Sequence, residues 1–152
     1  MARLRAAFEE LVYRAALRLD EGDYAGFLAL CEPELRYSIA AYSPEIRQPM
    51  TWLDHDKAGL QNLFDTLPRH NSDRAPLSRH VTVYTVDVDG DEATIVTALQ
   101  VFRTRLDGGS TELFAVGKIH DRARLVGGAA RLLSRRIQLD TRQLGIGTHI
   151  PF

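Results

Sequence analysis

The chain has 152 residues, of which 45% are hydrophobic and 26% charged, and its formal net charge is -1. This composition excludes a disordered chain, and the length is sufficient for one autonomous core. No apolar run approaches the ~20 residues that a membrane span needs, and the first residues lack the apolar stretch of a secretory signal. The only cysteine, Cys31, excludes an internal disulfide and any metal site built on several thiolates. We therefore expect one soluble, cytoplasmic domain over residues 1–152.

The N-terminal part of the sequence predicts two helices. Apolar residues fall on one face of residues 3–19, and charged residues lie opposite, which is typical of an amphipathic helix. Gly22 suits the end of this helix, and Asp23 suits the N-cap of a second, short helix that runs through Leu30. Pro33 is expected to stop it.

Extended segments and a third helix follow. Leu35–Tyr42 is rich in Tyr and Ile and predicts a strand, and a second short extended piece runs to Leu53. Asp54 is predicted to cap a helix over His55–Leu67, which Pro68 would end.

The second half of the chain changes to long β segments separated by short Gly-containing turns, which predicts a meander of antiparallel hairpins. The first segment changes phase: Val81 and Val83 point one way, and Tyr84, Val86 and Val88 the other. A β-bulge near Tyr84 would explain this change and would curve the sheet. The four segments are Leu77–Val88, Glu92–Arg105, Thr111–Arg124 and Ala130–Thr141.

This order of elements predicts an α+β fold in which a curved antiparallel sheet wraps around three N-terminal helices. The pattern resembles the NTF2-like (cystatin-like) cone. Many members of that superfamily use the cone as a ligand pocket, and others use the outer sheet face to assemble.

One group of polar residues could carry chemistry. Asp20 and His80 resemble, in position, the Asp/His pair of SnoaL-like dehydratases and isomerases, with Tyr13 as a hydrogen-bond donor. A carboxylate bonded to the imidazole would orient it and make it a general base. The alternative is structural: Asp20 belongs to a helix-ending turn, and His80 has its own partner beside Arg79. The histidine spacing predicts no metal site, and no nucleotide-binding or nucleophile motif is present.

The closing segment is the most distinctive part of the sequence. On the last predicted strand, Arg135 shares a face with apolar residues, while Arg136 faces the other way. An arginine in an apolar row needs a carboxylate partner, either within the chain or across an interface. Residues 143–152 form an apolar tail, which we expect to be either frayed or docked on a neighbouring subunit.

Four sequence segments resemble the small (β) subunit of Rieske non-haem iron aromatic-ring-hydroxylating oxygenases. The most specific is the string Leu-x-x-Arg-Arg-Ile-x-Leu-Asp-Thr over residues 132–141. The others are Leu19–Tyr24, Glu34–Tyr37 and Arg79–Val83. The resemblance covers nearly the whole chain. The tail Gly145–Phe152 does not point to a substrate class, and related oxygenases include enzymes that act on alkanesulfonates.

The resemblance implies a chain without catalytic residues or cofactors of its own. In that family the Rieske cluster and the mononuclear iron belong to the large α subunit, and β trimers support an α3β3 assembly that a reductase, sometimes with a ferredoxin, supplies with electrons. The residues expected in or beside subunit contacts are Arg135, Arg136, Asp140, Leu144, Ile146, His149, Ile150 and Phe152. Two interpretations therefore remain: a structural oxygenase subunit, or a stand-alone lyase or isomerase that uses Asp20 and His80. A plain ligand-binding or dimerising NTF2-like module is a third, weaker possibility.

Overall fold

A computed structural model describes residues 2–45, 47–70, 75–141 and 151–152. Its helices are α1 (Ala2–Asp20), α2 (Tyr24–Ala29) and α3 (Lys57–His70). Its strands are β1 (Cys31–Ser43), β2 (Gln48–Asp56), β3 (Leu77–Asp89), β4 (Glu92–Thr104), β5 (Thr111–Val126) and β6 (Ala129–Leu139). The predicted α+β architecture with a long-stranded second half is confirmed.

The strands form one six-stranded sheet with the order β2-β1-β6-β5-β4-β3. The predicted meander from β3 to β6 is antiparallel throughout. The β1–β6 pair is parallel, which departs from the all-antiparallel sheet that we expected. Parallel pairing is possible because the chain between β1 and β6 is long enough to return to the same end of the sheet.

Helix α1 covers the inner face of this sheet with its apolar side. It packs against α2, β3 and β6, and its buried residues recur at helical spacing as predicted. They are Phe8, Leu11, Val12, Ala15, Ala16 and Leu19. Gly22 adopts a φ of 69° directly after this helix, a conformation that favours glycine. The Asp23 carboxylate then accepts from Gly26 N at 2.9 Å and caps α2, as predicted.

The predicted bulge in β3 is present at Tyr84. Val83 pairs with Thr97 and Thr85 pairs with Val96, so Tyr84 is the extra residue on its strand. One expectation about facing is corrected: Tyr84 is exposed and does not share a face with Val86 and Val88, which lie on the same inner side as Val81 and Val83. Tyr84 and Thr85 are both exposed, so the alternation shifts by one residue at the bulge and Val86 and Val88 again point inward.

Three predicted boundaries around the prolines and Asp54 are wrong. β1 begins at Cys31 and continues through Pro33, where its register with β6 is interrupted, so the missing proline N–H leaves no ladder bond unmade. Asp56 rather than Asp54 caps α3, since its carboxylate accepts from Gly59 N at 2.7 Å. Helix α3 also runs two residues past Pro68, which lies in the last turn, where a missing N–H costs only one hydrogen bond.

Within the described residues, the model contains no helix that combines the length and the apolar character needed to cross a membrane.

Candidate functional site

A cleft of about 730 Å³ lies between α1 and the β3–β4 edge of the sheet. It brings together all three residues of the predicted catalytic group. Its lining consists of Tyr13, Ala16, Leu17, Asp20, Arg79, His80, Val81, Thr82, Tyr84, Ala98 and Gln100. The sequence therefore predicted correctly that these three residues lie close together. Their hydrogen bonds determine whether they can act as a catalytic group.

The Asp20 carboxylate is held by Arg79 rather than by His80. Its Oδ1 accepts from the Arg79 main-chain N at 3.0 Å and from Arg79 Nη1 at 2.9 Å. The Arg79 side chain is only 2% exposed, so this ion pair is largely shielded from water. A carboxylate engaged in this way is not available to orient an imidazole.

His80 lies on the opposite face of its strand from Arg79, because successive strand residues alternate. Its Nε2 is 3.0 Å from Ser78 Oγ, and its ring meets Phe102 edge-on with centroids 4.9 Å apart. Among the contacts of the described residues, none joins Asp20 to His80. The structural alternative for these two residues therefore describes the geometry better than the catalytic one.

Tyr13 and Asp20 instead cover the free edge of the sheet. β3 is an edge strand, and the Tyr13 hydroxyl accepts from Val83 N at 3.4 Å while Asp20 accepts from Arg79 N. Unpaired main-chain donors on an edge strand are a template for aggregation unless they are covered. These two side chains of α1 thus close part of that edge.

Arg135 has its carboxylate partner within the chain. It forms a bidentate pair with Asp121 on the neighbouring strand, with Nε–Oδ1 and Nη2–Oδ2 distances of 2.9 Å each. The two side chains are 2% and 0% exposed. Burial opposes the charge of Arg135, but the Asp121 carboxylate outweighs it, so the pKa of the guanidinium lies above its ordinary value.

The described end of the tail lies inside the chain's own core, contrary to the expected docking on a neighbour. Phe152 is 1% exposed, and its ring meets Phe114 edge-on with centroids 6.1 Å apart. Neither Phe152 nor Arg135 can present much surface to another subunit from these positions. Leu144, Ile146, His149 and Ile150 lie outside the described residues.

Arg136 and Asp140 are both exposed. Arg136 lies on the outer face of β6, and Asp140 directly follows the last residue of that strand. Within the described residues, the side-chain hydrogen bond of Arg136 runs from its Nη1 to Gln138 Oε1 at 3.4 Å. It lies beside His120, the residue with which it pairs in register on β5. Burial and the Arg136 charge lower the pKa of His120 below its ordinary value, because both disfavour a proton on the ring.

A second ion network was missed by the sequence analysis. Glu32 accepts from Arg124 Nη2 at 2.9 Å and lies 3.1 Å from Arg131 Nε. The hydrogen bond from Arg124 lowers the pKa of the Glu32 carboxyl. Like Asp121, Glu32 lies far in sequence from its partners, and only strand register brings the charges together. The one signal that could have indicated these burials is strand alternation, in which Arg79 and Asp121 both occupy inward positions.

No group of three or more metal-ligating side chains occurs in the part of the chain that the model describes. Cys31 is buried, and burial raises the pKa of its thiol to about 12. Its Sγ donates to Phe27 O at 3.4 Å. This thiol is therefore a protonated, packed group and not a nucleophile.

Residues 14–145 match the protein-family model described as ring hydroxylating beta subunit. The beta subunit of methanesulfonate monooxygenase hydroxylase from Methylosulfonomonas methylovora is 42% identical, over 95% of this chain and 85% of that protein. The beta subunit of 2-aminobenzenesulfonate 2,3-dioxygenase from Alcaligenes sp is 31% identical, over 93% of this chain and 95% of that protein.

Solved structures show the same fold. The beta subunit of an aromatic-ring-hydroxylating dioxygenase from Novosphingobium aromaticivorans superposes with a TM-score of 0.77 at 24% identity, covering 91% of this chain and 90% of that one. Naphthalene 1,2-dioxygenase gives a TM-score of 0.77 at 20% identity over 98% of this chain and 85% of that one. An NTF2-like protein with a cystatin-like fold, also from N. aromaticivorans, gives 0.69 at 19% identity over 97% of this chain and 89% of that one. The predicted NTF2-like fold class is confirmed.

Proposed function

Because the chain belongs to the ring-hydroxylating beta-subunit family, we propose that it is the non-catalytic small subunit of a multicomponent oxygenase. The relationship at 42% identity to a hydroxylase beta subunit carries this proposal. The contacts in the cleft support it, since Asp20 is engaged by Arg79 and His80 is turned towards Ser78. The role left to such a chain is to hold large subunits in register.

The partner in this proposal is a large α subunit that carries the Rieske [2Fe-2S] cluster and the mononuclear Fe(II). The small subunit would form a trimer within an α3β3 complex, and a reductase, with or without a ferredoxin, would supply electrons. The one cysteine, Cys31, is buried and forms no disulfide, so the fold does not need an oxidising compartment. We therefore place the complex in the cytoplasm.

We further propose that the complex oxidises an organosulfonate. The two relatives that support this act, by name, on methanesulfonate and on 2-aminobenzenesulfonate, which share only the sulfonate group. The test measures oxygen uptake by the reconstituted complex with methanesulfonate, 2-aminobenzenesulfonate and naphthalene as separate substrates. Uptake with naphthalene and neither sulfonate would contradict this assignment.

The outer sheet face around Arg136 is the proposed contact surface, together with Asp140 and residues 144–150. Arg136 is exposed, and among the described residues its guanidinium makes one long hydrogen bond, of 3.4 Å, to the Gln138 amide. Most of its N–H donors can therefore bind a carboxylate of a partner. Lys118 lies on the same face, opposite Gln138, whereas the nearby Arg122 is paired with Glu92 at 2.9 Å. Arg136 and Lys118 therefore supply the positive charge that would meet an acidic partner surface.

Charge reversal of Arg136 tests this surface. We expect Arg136→Glu to weaken the complex with the large subunit by about tenfold or more, because a repulsive charge would meet the partner's acids. The matched control is Arg14→Glu on α1, which changes the same charge on an exposed helix face. Size-exclusion chromatography of the co-expressed subunits measures the assembled fraction. Equal assembly of both variants would show that Arg136 is not at the contact.

The alternative, a stand-alone lyase, makes the opposite prediction for His80. In an oxygenase subunit, His80→Ala leaves the turnover of the reconstituted complex unchanged. In a lyase that uses His80 as its base, the same change lowers the rate by about 10²-fold or more.

A further inference from the structure

The interior of the cone is occupied by Pro151 and Phe152, both of which are buried. The Phe152 ring belongs to the same buried cluster as the apolar faces of α1 and the sheet. Its neighbour Phe114 comes from β5, near the middle of the sheet. The ring therefore fills space that no helix or strand side chain fills.

Two buried side-chain donors hold the main chain of these residues. Tyr37 Oη donates to Phe152 O at 3.0 Å, and Arg79 Nη2 donates to Pro151 O at 2.8 Å. Tyr37 lies on β1 and Arg79 on β3, on opposite sides of β5 in the sheet order. The main-chain oxygens of two consecutive residues and one aromatic ring are thus contacted from three separate strands.

Both donors are buried and need an acceptor inside the cone. Tyr37 is 0% exposed, and burial keeps its hydroxyl protonated by raising its pKa above the ordinary value. Arg79 is oriented by Asp20, and its Nε has no hydrogen-bond partner in the described part of the chain. An empty cone would leave Tyr37 Oη and Arg79 Nη2 without their acceptors, although Arg79 Nη1 would keep its bond to Asp20. Leaving buried donors unsatisfied in this way is costly.

We propose that the cone interior is a binding site for a short apolar peptide segment that carries an aromatic residue, and that this chain occupies it with its own Pro151–Phe152. The recognition elements are Tyr37, Arg79 and Phe114, none of which belongs to the bound segment. The same site therefore accepts the dipeptide when it is supplied in trans. This inference does not depend on the oxygenase assignment.

The test uses a variant that lacks Pro151 and Phe152. We expect its Tm to fall by about 5 °C or more, because a ring-sized cavity and two unsatisfied donors remain. Acetyl-prolyl-phenylalanine at millimolar concentration should raise that Tm by at least 2 °C and leave the full-length chain unchanged, by the linkage of binding to stability. Acetyl-prolyl-alanine, which lacks the ring, is the control. A variant with an unchanged Tm, or one that does not respond to the aromatic dipeptide, would overturn the proposal.

A second pair of variants applies if the shortened chain does not fold. Phe152→Ala keeps both main-chain oxygens and opens only the ring cavity, and benzene should raise its Tm, because apolar ligands bind in dry engineered cavities. Phe102→Ala removes a ring from the outer face and should show no such response. A folded Phe152→Ala that responds to benzene no better than Phe102→Ala would refute the site.

The full-length chain offers a third measurement that leaves the ring in place. Tyr37→Phe removes only the hydroxyl that bonds Phe152 O, and we expect hydrogen exchange at the Phe152 amide to become about tenfold faster. Unchanged exchange there would show that this hydrogen bond does not hold the segment.

Discussion

The Asp121–Arg135 pair shows how a single residue's environment determines its partner. Arg135 lies among apolar side chains on β6, and Asp121 is its register partner on β5. The sequence predicted that a carboxylate was needed. Which carboxylate, and whether it came from this chain, depended on strand register, which composition and spacing do not encode.

Removing one member of this pair should be strongly destabilising. We expect Asp121→Ala to lower the free energy of unfolding by about 3–5 kcal/mol, because it leaves a buried guanidinium without its counter-charge. Urea denaturation measures the change. Glu10→Ala, which removes the partner of Arg14 in an exposed pair, should cost no more than about 1 kcal/mol. Equal costs for the two variants would mean that the buried pair does not behave as its burial implies.

His120 should make stability depend on pH. Its pKa in the folded chain lies below the ordinary value of 6.5, through burial and then Arg136, with Lys118 acting in the same direction and Asp121 against it. The unfolded chain therefore binds this proton more tightly. The contribution is complete above pH 6.5 and is lost as the pH falls through the folded pKa.

The His120→Asn variant isolates this contribution. We expect the loss of stability between pH 7.5 and pH 5.5, measured by urea denaturation, to be smaller in His120→Asn than in the unmodified chain. The other titrating groups are common to both proteins and cancel in the comparison. An equal or larger loss in the variant would contradict the assignment.

At the scale of elements, β5 and β6 approach so closely at Gly117 that no side chain fits. A Cβ at this position would lie 2.3 Å from the Gln138 main-chain O and 2.9 Å from Leu139 Cα. Both atoms belong to the backbone of the neighbouring strand, so relief requires the strands to separate. This contact could not be predicted from the sequence, because a glycine inside a strand is compatible with several causes.

Gly117→Ala is therefore expected to weaken the β5–β6 pairing. We predict a loss of about 2 kcal/mol or more, or a Tm decrease of roughly 4–8 °C, by the cost of overpacking. Gly109→Ala is the control, since its close neighbours belong to the exposed Asp107 side chain, which can rotate away. A Gly117→Ala variant as stable as Gly109→Ala would show that the strands have room to adjust.

The elements that the sequence predicted well are those with long, regular patterns. The amphipathic face of α1, the Asp23 cap and the bulge at Tyr84 each follow from local chemistry. The errors lie where tertiary context overrides a local signal. Pro33 was taken as a helix stop, and the structure tolerates it inside β1 because the pairing is interrupted there.

At the scale of the whole molecule, the fold places its charges on two sides. The inner charges, Arg79 with Asp20 and Arg135 with Asp121, are paired within the chain and fix the core. The outer face carries Arg136, which keeps most of its donors free among the described residues.

The catalytic group suggested by Tyr13, Asp20 and His80 was correctly placed in one cleft but not bonded as a catalytic group. Sequence position predicts proximity, whereas the alternation of β3 decides which neighbour Asp20 contacts.

In the proposed function, this chain works as the small subunit of an oxygenase complex. Native mass spectrometry of the tagged chain, isolated from its own host together with its partners and analysed for iron, tests it most directly. We expect a 3:3 complex with a larger, iron-containing subunit. A homo-oligomer that contains no second protein and no iron would contradict it.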